Sequence, residues 1–272
     1  PGLATVITSR WVELRAGNLG SLPALLAIAV LSLVFGAVNP SSFLSEVNLA
    51  NLLEQASAVI VIAMAVSFTL LLGEIDLAAG FTAGVSAAVL ATRLESWPLL
   101  PSVLVAALVA VALGTFTGWL VAKVGIPSFV VTLANVLLFQ GILLLLVRDG
   151  GSVRIENQLV KDLVGATMSP AISWLFVALA LTLFALSLLR QRSAAHGSIP
   201  LSLVGMKVGF AAVVTLAFTI ILNQNRAFPN APAPIQGIPT VVPVVLVLLI
   251  AMTFLLNRTR YGRHLYAVGG NA

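Results

Sequence analysis

Long apolar runs separated by short polar segments dominate the pattern of this chain. A helix needs around 20 apolar residues to cross about 30 Å of hydrocarbon. The runs do not alternate, whereas strands of a membrane barrel would alternate over about ten residues. We therefore predict an all-α, polytopic membrane bundle of about eight spans, of which the third and seventh are short. The predicted spans are Leu22–Val38, Ala56–Leu72, Phe81–Leu94, Ser102–Ala122, Phe129–Val147, Ala171–Leu189, Val208–Leu222 and Val241–Leu256.

Composition supports a membrane protein and excludes a soluble one. Of the 272 residues, 60% are hydrophobic and only 8% are charged, against about 25% charged residues in soluble domains. The chain has no cysteine, so it has no disulfide, thiol nucleophile or Cys metal ligand. The formal charge of +5 follows the two membrane sides, as shown next, and does not indicate nucleic-acid binding.

Lysine and arginine predict the orientation, because cytoplasmic loops carry the excess of both residues. With the N-terminus inside, residues 1–21 form a cytoplasmic segment, 22–256 the transmembrane domain and 257–272 the start of a cytoplasmic region. The cytoplasmic side then holds Arg10, Arg15, Lys123, Arg190, Arg192, Lys207, Arg258, Arg260 and Arg263. The opposite side holds Arg93, Arg148, Arg154, Lys161 and Arg226.

The chain is organised around the stretch from Gly73 to Gly80, which carries Glu74 and Asp76 between two uncharged runs. A carboxylate left at the bilayer centre costs roughly 2.5–3.5 kcal/mol on insertion scales. Asp76 suits the N-cap of a helix that begins at Leu77, where it would accept a hydrogen bond from an amide two or three residues on. Two interpretations stay open: a capping and packing element at a cytoplasmic gate, or direct contact with a transported solute.

A second informative segment separates spans four and five. Pro127 is expected in the first turn of the new helix, and Ser128 and Thr132 are expected to satisfy local backbone groups. Span five then carries Asn135 and Gln140 among apolar residues. These amides lie about 140° apart around a helix, so we expect one to pack and the other to line a route.

The third segment follows span eight and is strongly basic. One interpretation is an anchor on anionic lipid, and the other is a docking surface for a cytoplasmic partner. The candidate docking residues are Arg260, Tyr261, Gly262, Arg263, Gly269, Gly270 and Asn271.

The remaining motifs predict ordinary structure. Three Gly-x-x-x-Gly pairs, Gly80/Gly84, Gly114/Gly118 and Gly205/Gly209, predict close helix packing. Residues 191–206 predict a polar cytoplasmic loop and residues 223–239, rich in proline, an irregular outer connection. His196 and His264 are expected to be solvated.

The sequence contains no nucleotide-binding phosphate loop, no His-Glu-x-x-His and no Gly-x-Ser-x-Gly. We therefore assign no catalytic, cofactor or metal residues, and nothing in the sequence predicts an enzyme.

Three motifs agree in order and spacing with one family. They are Gly-Glu-Ile-Asp-Leu-Ala-Ala-Gly, Ile-Pro-Ser-Phe-Val-Val-Thr-Leu-Ala and Thr-Arg-Tyr-Gly-Arg-His-Leu-Tyr-Ala-Val-Gly-Gly-Asn. Together they resemble the permease subunit of bacterial ABC importers for monosaccharides, of the ribose, xylose and galactose type. Glu74, where many relatives have glycine, and the polar segment 191–206 are most similar to the xylose type.

This resemblance implies a pore of two permease copies in the bacterial inner membrane, a pair of ATPase subunits that bind ATP-Mg, and a periplasmic sugar-binding protein. It implies about ten spans, with Ala272 at the start of the coupling helix that fits the ATPase. Gly73, Glu74, Asp76, Gly80, Asn135 and Gln140 are the candidate gate and path residues. The alternative is a secondary transporter that uses Glu74 and Asp76 as an ion relay.

Overall fold

A computed structural model describes residues 19–20, 22–147, 151–194, 199–227, 230–231 and 233–269. These residues form an all-α fold, as predicted, with one isolated bridge between Thr167 and Pro239. The helices are α1 Leu22–Val38, α2 Pro40–Phe43, α3 Glu46–Leu71, α4 Ala79–Leu94, α5 Leu99–Trp119, α6 Ser128–Val147, α7 Gln158–Gly165, α8 Pro170–Ala194, α9 Leu201–Leu222, α10 Val241–Arg258 and α11 Arg260–Gly269. A π-helical segment, Leu120–Val124, continues α5.

Every predicted span corresponds to a helix. Six helices of the described chain are long and apolar enough to cross a membrane, counting α5 with its π-helical extension, and α1 and α4 are shorter. The predictions for Arg10, Arg15, Arg148, His196, Gly270 and Asn271, and for most of the N-terminal segment, lie outside the described residues.

The prediction of a short seventh span is wrong, because α9 begins at Leu201 and has 22 residues. Lys207 does not interrupt it, since a lysine near a helix end can extend its ammonium towards water, and this side chain is exposed. The predicted loop 191–206 is therefore too long: α8 continues to Ala194 and α9 starts at Leu201.

The chain divides into two compact units, Pro1–Leu53 with Thr167–Pro239, and Glu54–Ala166 with Thr240–Ala272. In the first unit, α8 packs along α9. The connection after α9 is irregular, as predicted, and is held by hydrogen bonds. Arg226 donates to the carbonyls of Leu222 and Gly237, and Ile238 N donates to Ser173 Oγ.

In the second unit, α4, α5 and α6 pack into a tight group. Its centre is formed by Ala78, Val85 and Phe139, all almost fully buried. Ser86 Oγ on α4 donates to the Ala106 carbonyl of α5 at 2.9 Å. The group is therefore held by apolar packing and by hydrogen bonds between helices.

Thr240 connects two further segments of this unit by hydrogen bonds. Its hydroxyl lies 2.9 Å from the carbonyls of Asp162 and Leu163, and its amide donates to the Ala166 carbonyl. These carbonyls belong to the last turn of α7 or follow it, where a helix leaves acceptors without partners. Thr240 thus connects the start of α10 to α7.

Phe139→Ala should lower the free energy of unfolding by about 3–5 kcal/mol, because the ring is 1% exposed and the space left behind would not close fully. Unfolding in mixed micelles would measure it. Leu137→Ala is the matched control on the same helix, since that side chain is 70% exposed. Equal losses for the two variants would contradict the described core.

Candidate functional site

The stretch from Gly73 to Gly80 forms the break between α3 and α4. Gly73 has φ of 80°, a left-handed conformation that side chains disfavour. Its amide donates to the Leu70 carbonyl, and the Glu74 amide donates to the Thr69 carbonyl. This pair of bonds is a Schellman motif, which satisfies the last carbonyls of a helix. Gly73 therefore ends α3.

Asp76 makes the bond that the sequence predicts, because its Oδ1 accepts from the Ala78 amide at 2.9 Å. The predictions that the helix begins at Leu77 and that Asp76 is its N-cap are both wrong, because α4 begins at Ala79. Ala78 holds the N-cap position, and its carbonyl accepts from the Thr82 amide. The side chain of Asp76 thus closes a turn just before α4.

The break is fastened to α6 through Ile75. The Ile75 amide donates to Ser128 Oγ at 3.2 Å, and Thr132 Oγ1 lies 3.2 Å from the Ile75 carbonyl and 2.8 Å from the Ser128 carbonyl. We call this arrangement of Ile75, Ser128 and Thr132 the clasp. Thr132 satisfies a local carbonyl, as predicted, but the bonds to Ile75 cross more than 50 residues of sequence and were not foreseen.

The predicted position of Pro127 is also slightly wrong. The helix begins at Ser128, so Pro127 lies just before it and not in its first turn. The Pro127 carbonyl accepts from the amides of Val130 and Val131 in that first turn. Gly125, with φ of 80°, ends the π-helical segment just before it. This short connection places Ser128 at the start of α6, where its hydroxyl can meet Ile75.

A cavity of about 850 Å³ lies in the second unit, between α3 on one side and α4 and α5 on the other. Its walls are mainly apolar, and Glu74 and Asp76 contribute the two carboxylates. A volume of this size is in the range of small-molecule sites. The lining hydroxyls are Thr69, Thr82, Ser86, Thr117, Ser128 and Thr132.

The Gly-x-x-x-Gly pairs do not all pack as predicted. Gly114 and Gly118 line the cavity, and a Cβ on either would meet nothing within 4 Å. The packing prediction is therefore wrong for this pair within the described chain. A Cβ on Gly205 or Gly209 would also meet nothing within 4 Å, so the packing prediction is wrong for that pair too within the described chain. A Cβ on Gly84, in contrast, would be in ordinary contact with Leu143 at 3.5 Å.

The candidate path residues are separated by the fold. Glu74 and Asp76 line the cavity, while Gly73 and Gly80 are exposed beside it and do not line it. Asn135 is 3% exposed and donates to Thr117 Oγ1 at 2.8 Å, so it packs between α6 and α5. Gln140 is exposed on α6, outside the cavity. Thr117 and Thr132, which the sequence did not indicate as path residues, line the wall near Asn135.

The basic C-terminal segment folds as α11 against the end of α3. A Cβ on Gly269 would collide with the Leu71 carbonyl, and one on Gly262 with the Leu256 carbonyl. The rings of Tyr261 and Phe68 lie 6.1 Å apart. These two glycines allow backbone approach, whereas the side chains of Arg260 and Arg263 are exposed. Tyr261 is exposed as well, although its ring lies near Phe68.

All three sequence motifs therefore meet at one end of the second unit. Val268 of α11 joins Glu74, Asp76 and Ser128 in the cavity lining. Within the described residues, no group of three or more His, Cys, Asp or Glu side chains is placed to hold a metal ion.

Comparison with known proteins identifies the family. The family model described as "Branched-chain amino acid transport system / permease component" matches residues 48–272. The chain belongs to this family of permease components. It is therefore a multi-pass membrane protein and a transport component, and the resemblance inferred from the three motifs is confirmed.

Individual relatives carry sugar names. The chain is 30% identical over 278 residues to the xylose transport system permease protein XylH of Escherichia coli (strain K12), covering 99% of this chain and 67% of that protein. It is 32% identical over 128 residues to the D-allose transport system permease protein AlsC of the same strain, covering 46% of this chain and 39% of AlsC. No solved structure matches the chain.

A third relative is the ribose import permease protein RbsC of Haemophilus influenzae (strain ATCC 51907 / DSM 11121 / KW20 / Rd). It is 31% identical over 121 residues, which cover 43% of this chain and 36% of RbsC. The relatives thus share a permease role and differ in the sugar that their names state.

Ser128→Ala should speed hydrogen exchange of the Ile75 amide by about fivefold, because a net hydrogen bond contributes on the order of 1 kcal/mol. Thr132→Val should have a similar effect on the same segment. Thr253→Val is the control, since that hydroxyl bonds only to a carbonyl of its own helix. Unchanged exchange at residues 74–78 in both clasp variants would show that the clasp does not hold the break.

Proposed function

We propose that this chain is the transmembrane permease subunit of an ABC importer that carries a monosaccharide, with xylose as the favoured sugar. The observation that carries the proposal is the meeting of three family motifs around one cavity that reaches α11. Similarity to XylH over 99% of the chain supports xylose. The shorter matches to AlsC and RbsC support a monosaccharide without favouring xylose.

In this proposal the chain provides a route and the energy comes from other subunits. Two permease copies form the pore in the bacterial inner membrane, and a periplasmic protein delivers the sugar to the outer side. ATPase subunits bind ATP-Mg on the cytoplasmic side and drive the gate. The mainly apolar cavity wall suits a path that binds the sugar weakly, because a deep energy well would slow its release.

The break between α3 and α4 is the proposed gate. It contains an irregular backbone held by the clasp, and it carries Glu74 and Asp76 into the cavity. Irregular backbone at membrane depth is tolerated where it is buried in protein or lines a water-filled space. Movement of α11 would reach this break directly, because Gly269 lies against Leu71 at the end of α3.

The test is uptake by the complete transporter, reconstituted in liposomes with its ATPase and sugar-binding protein. We expect uptake of labelled xylose that requires ATP on the side of the ATPase subunits, is stopped by vanadate and is insensitive to an ionophore. Ribose and allose, each offered with the same binding protein, are the comparison sugars. Uptake that an ionophore abolishes and vanadate does not affect would favour the ion-coupled alternative.

The exposed arginines of α11 are proposed to contact the ATPase. Arg260 and Arg263 are three residues apart and therefore share one helix face. The double variant Arg260→Gln/Arg263→Gln should reduce sugar-stimulated ATP hydrolysis and uptake by about threefold or more, because ion pairs at an interface act together more strongly than single surface pairs. Both rates would be measured in the reconstituted complex.

Arg154→Gln is the matched control, since this arginine is exposed and pairs with Glu156 on the predicted outer side. Repeating the measurement in neutral and anionic lipid separates the two interpretations of α11. A loss that appears only in anionic lipid would support a lipid anchor and contradict ATPase docking.

A further inference from the structure

Most hydroxyl groups of the cavity wall direct their protons into the protein. Thr69, Thr82, Thr117 and Thr132 each donate to a carbonyl of their own helix or of the residue at its N-cap, and Ser86 donates to Ala106 on the neighbouring helix. A hydroxyl has a single proton to donate. These side chains therefore present only oxygen lone pairs to anything inside the cavity.

The two carboxylates add acceptors of the same kind. Glu74 and Asp76 both line the cavity, and an ionised carboxylate accepts hydrogen bonds without donating any. No lysine, arginine or histidine is among the described lining residues. Lys123 follows the lining residue Ala122, but its side chain is exposed and does not line the cavity.

The start of α4 is the feature that could have attracted an anion, because free amides and the helix dipole favour negative charge there. In this structure Asp76 lies two residues before Ala78, which holds the N-cap position without a side-chain hydrogen bond to the first turn of α4. Asp76 Oδ1 accepts from the Ala78 amide at 2.9 Å, and its carboxylate lies beside the first turn of α4. The side chain thus places a carboxylate next to the helix end that would otherwise attract an anionic solute.

From these observations we infer that the cavity excludes anionic solutes and admits neutral ones, with Glu74 and Asp76 as the residues that set this selectivity. The inference rests on the proposed function, in which the cavity belongs to the sugar path. An anionic sugar acid or sugar phosphate would meet two like charges and a wall of acceptors. A neutral monosaccharide can donate its hydroxyl protons to the same wall.

A single introduced thiol, modified by charged reagents, is the reporter that tests this inference. The chain has no cysteine of its own, so the introduced thiol is the one site in this chain that such reagents modify. Ala83 lines the cavity from α4, so Ala83→Cys places one thiol there. In the reconstituted complex, modification of this chain by a cationic and by an anionic methanethiosulfonate reagent is followed by intact mass. After correction for each reagent's rate with a free thiol, the cationic reagent should react roughly tenfold faster.

Adding Glu74→Gln and Asp76→Asn to the reporter should bring the corrected ratio close to one. The single variant Glu74→Gln removes one charge without touching the bond from Asp76 to Ala78, and it should lower the ratio by about threefold. Glu95→Gln is the matched control, because Glu95 follows α4 at its other end, is exposed and does not line the cavity. It should leave the ratio unchanged.

A ratio that stays the same when both carboxylates are replaced would overturn the inference, and so would a reporter that neither reagent reaches. Uptake of a neutral monosaccharide is measured in the same vesicles as a separate readout. Intact sugar uptake without a charge effect would contradict the inferred selectivity and leave the proposed function supported. A clear charge effect in a complex that takes up no sugar would support the selectivity and contradict the proposed function.

Discussion

The need to satisfy backbone hydrogen bonds away from bulk water constrains the break between α3 and α4. Helix α4 has 16 residues, about 24 Å at 1.5 Å per residue, which is less than the roughly 30 Å of a bilayer core. Its irregular N-terminal connection must therefore find partners within the protein. The Schellman bonds of Gly73 and Glu74, the Asp76 turn and the clasp on Ile75 supply them.

The same bonds shape the chemistry of the cavity. Thr132 stabilises the break by donating inward, and as a result its hydroxyl offers the cavity only an acceptor. Thr117 is similarly engaged, since it donates to Leu113 and accepts from Asn135. Hydrogen bonds made within and between the helices thus leave these cavity-lining hydroxyls without a proton to donate to a solute.

Close backbone contact connects this region to α11. Because Gly269 has no Cβ, the end of α11 can lie against the Leu71 carbonyl, and Gly262 allows the chain to turn sharply after α10. The buried side of α11 is completed by Leu265, while its arginines remain exposed. A helix held by contacts this close would carry a displacement to the break rather than absorb it.

Local sequence was sufficient for features that depend on near neighbours. Long apolar runs predicted every span, because a backbone in lipid has few alternatives to a helix. The bond from the Ala78 amide to Asp76 was also predicted, since it joins residues only two apart, although Asp76 does not cap α4. Helix ends were less predictable, as α9 shows, because Lys207 can extend to water from within a helix. Local periodicity also could not say which of Asn135 and Gln140 is buried. That outcome, the partners of Ser128 and the shared position of Glu74 and Val268 depend on packing between distant segments, so only the tertiary structure decided them.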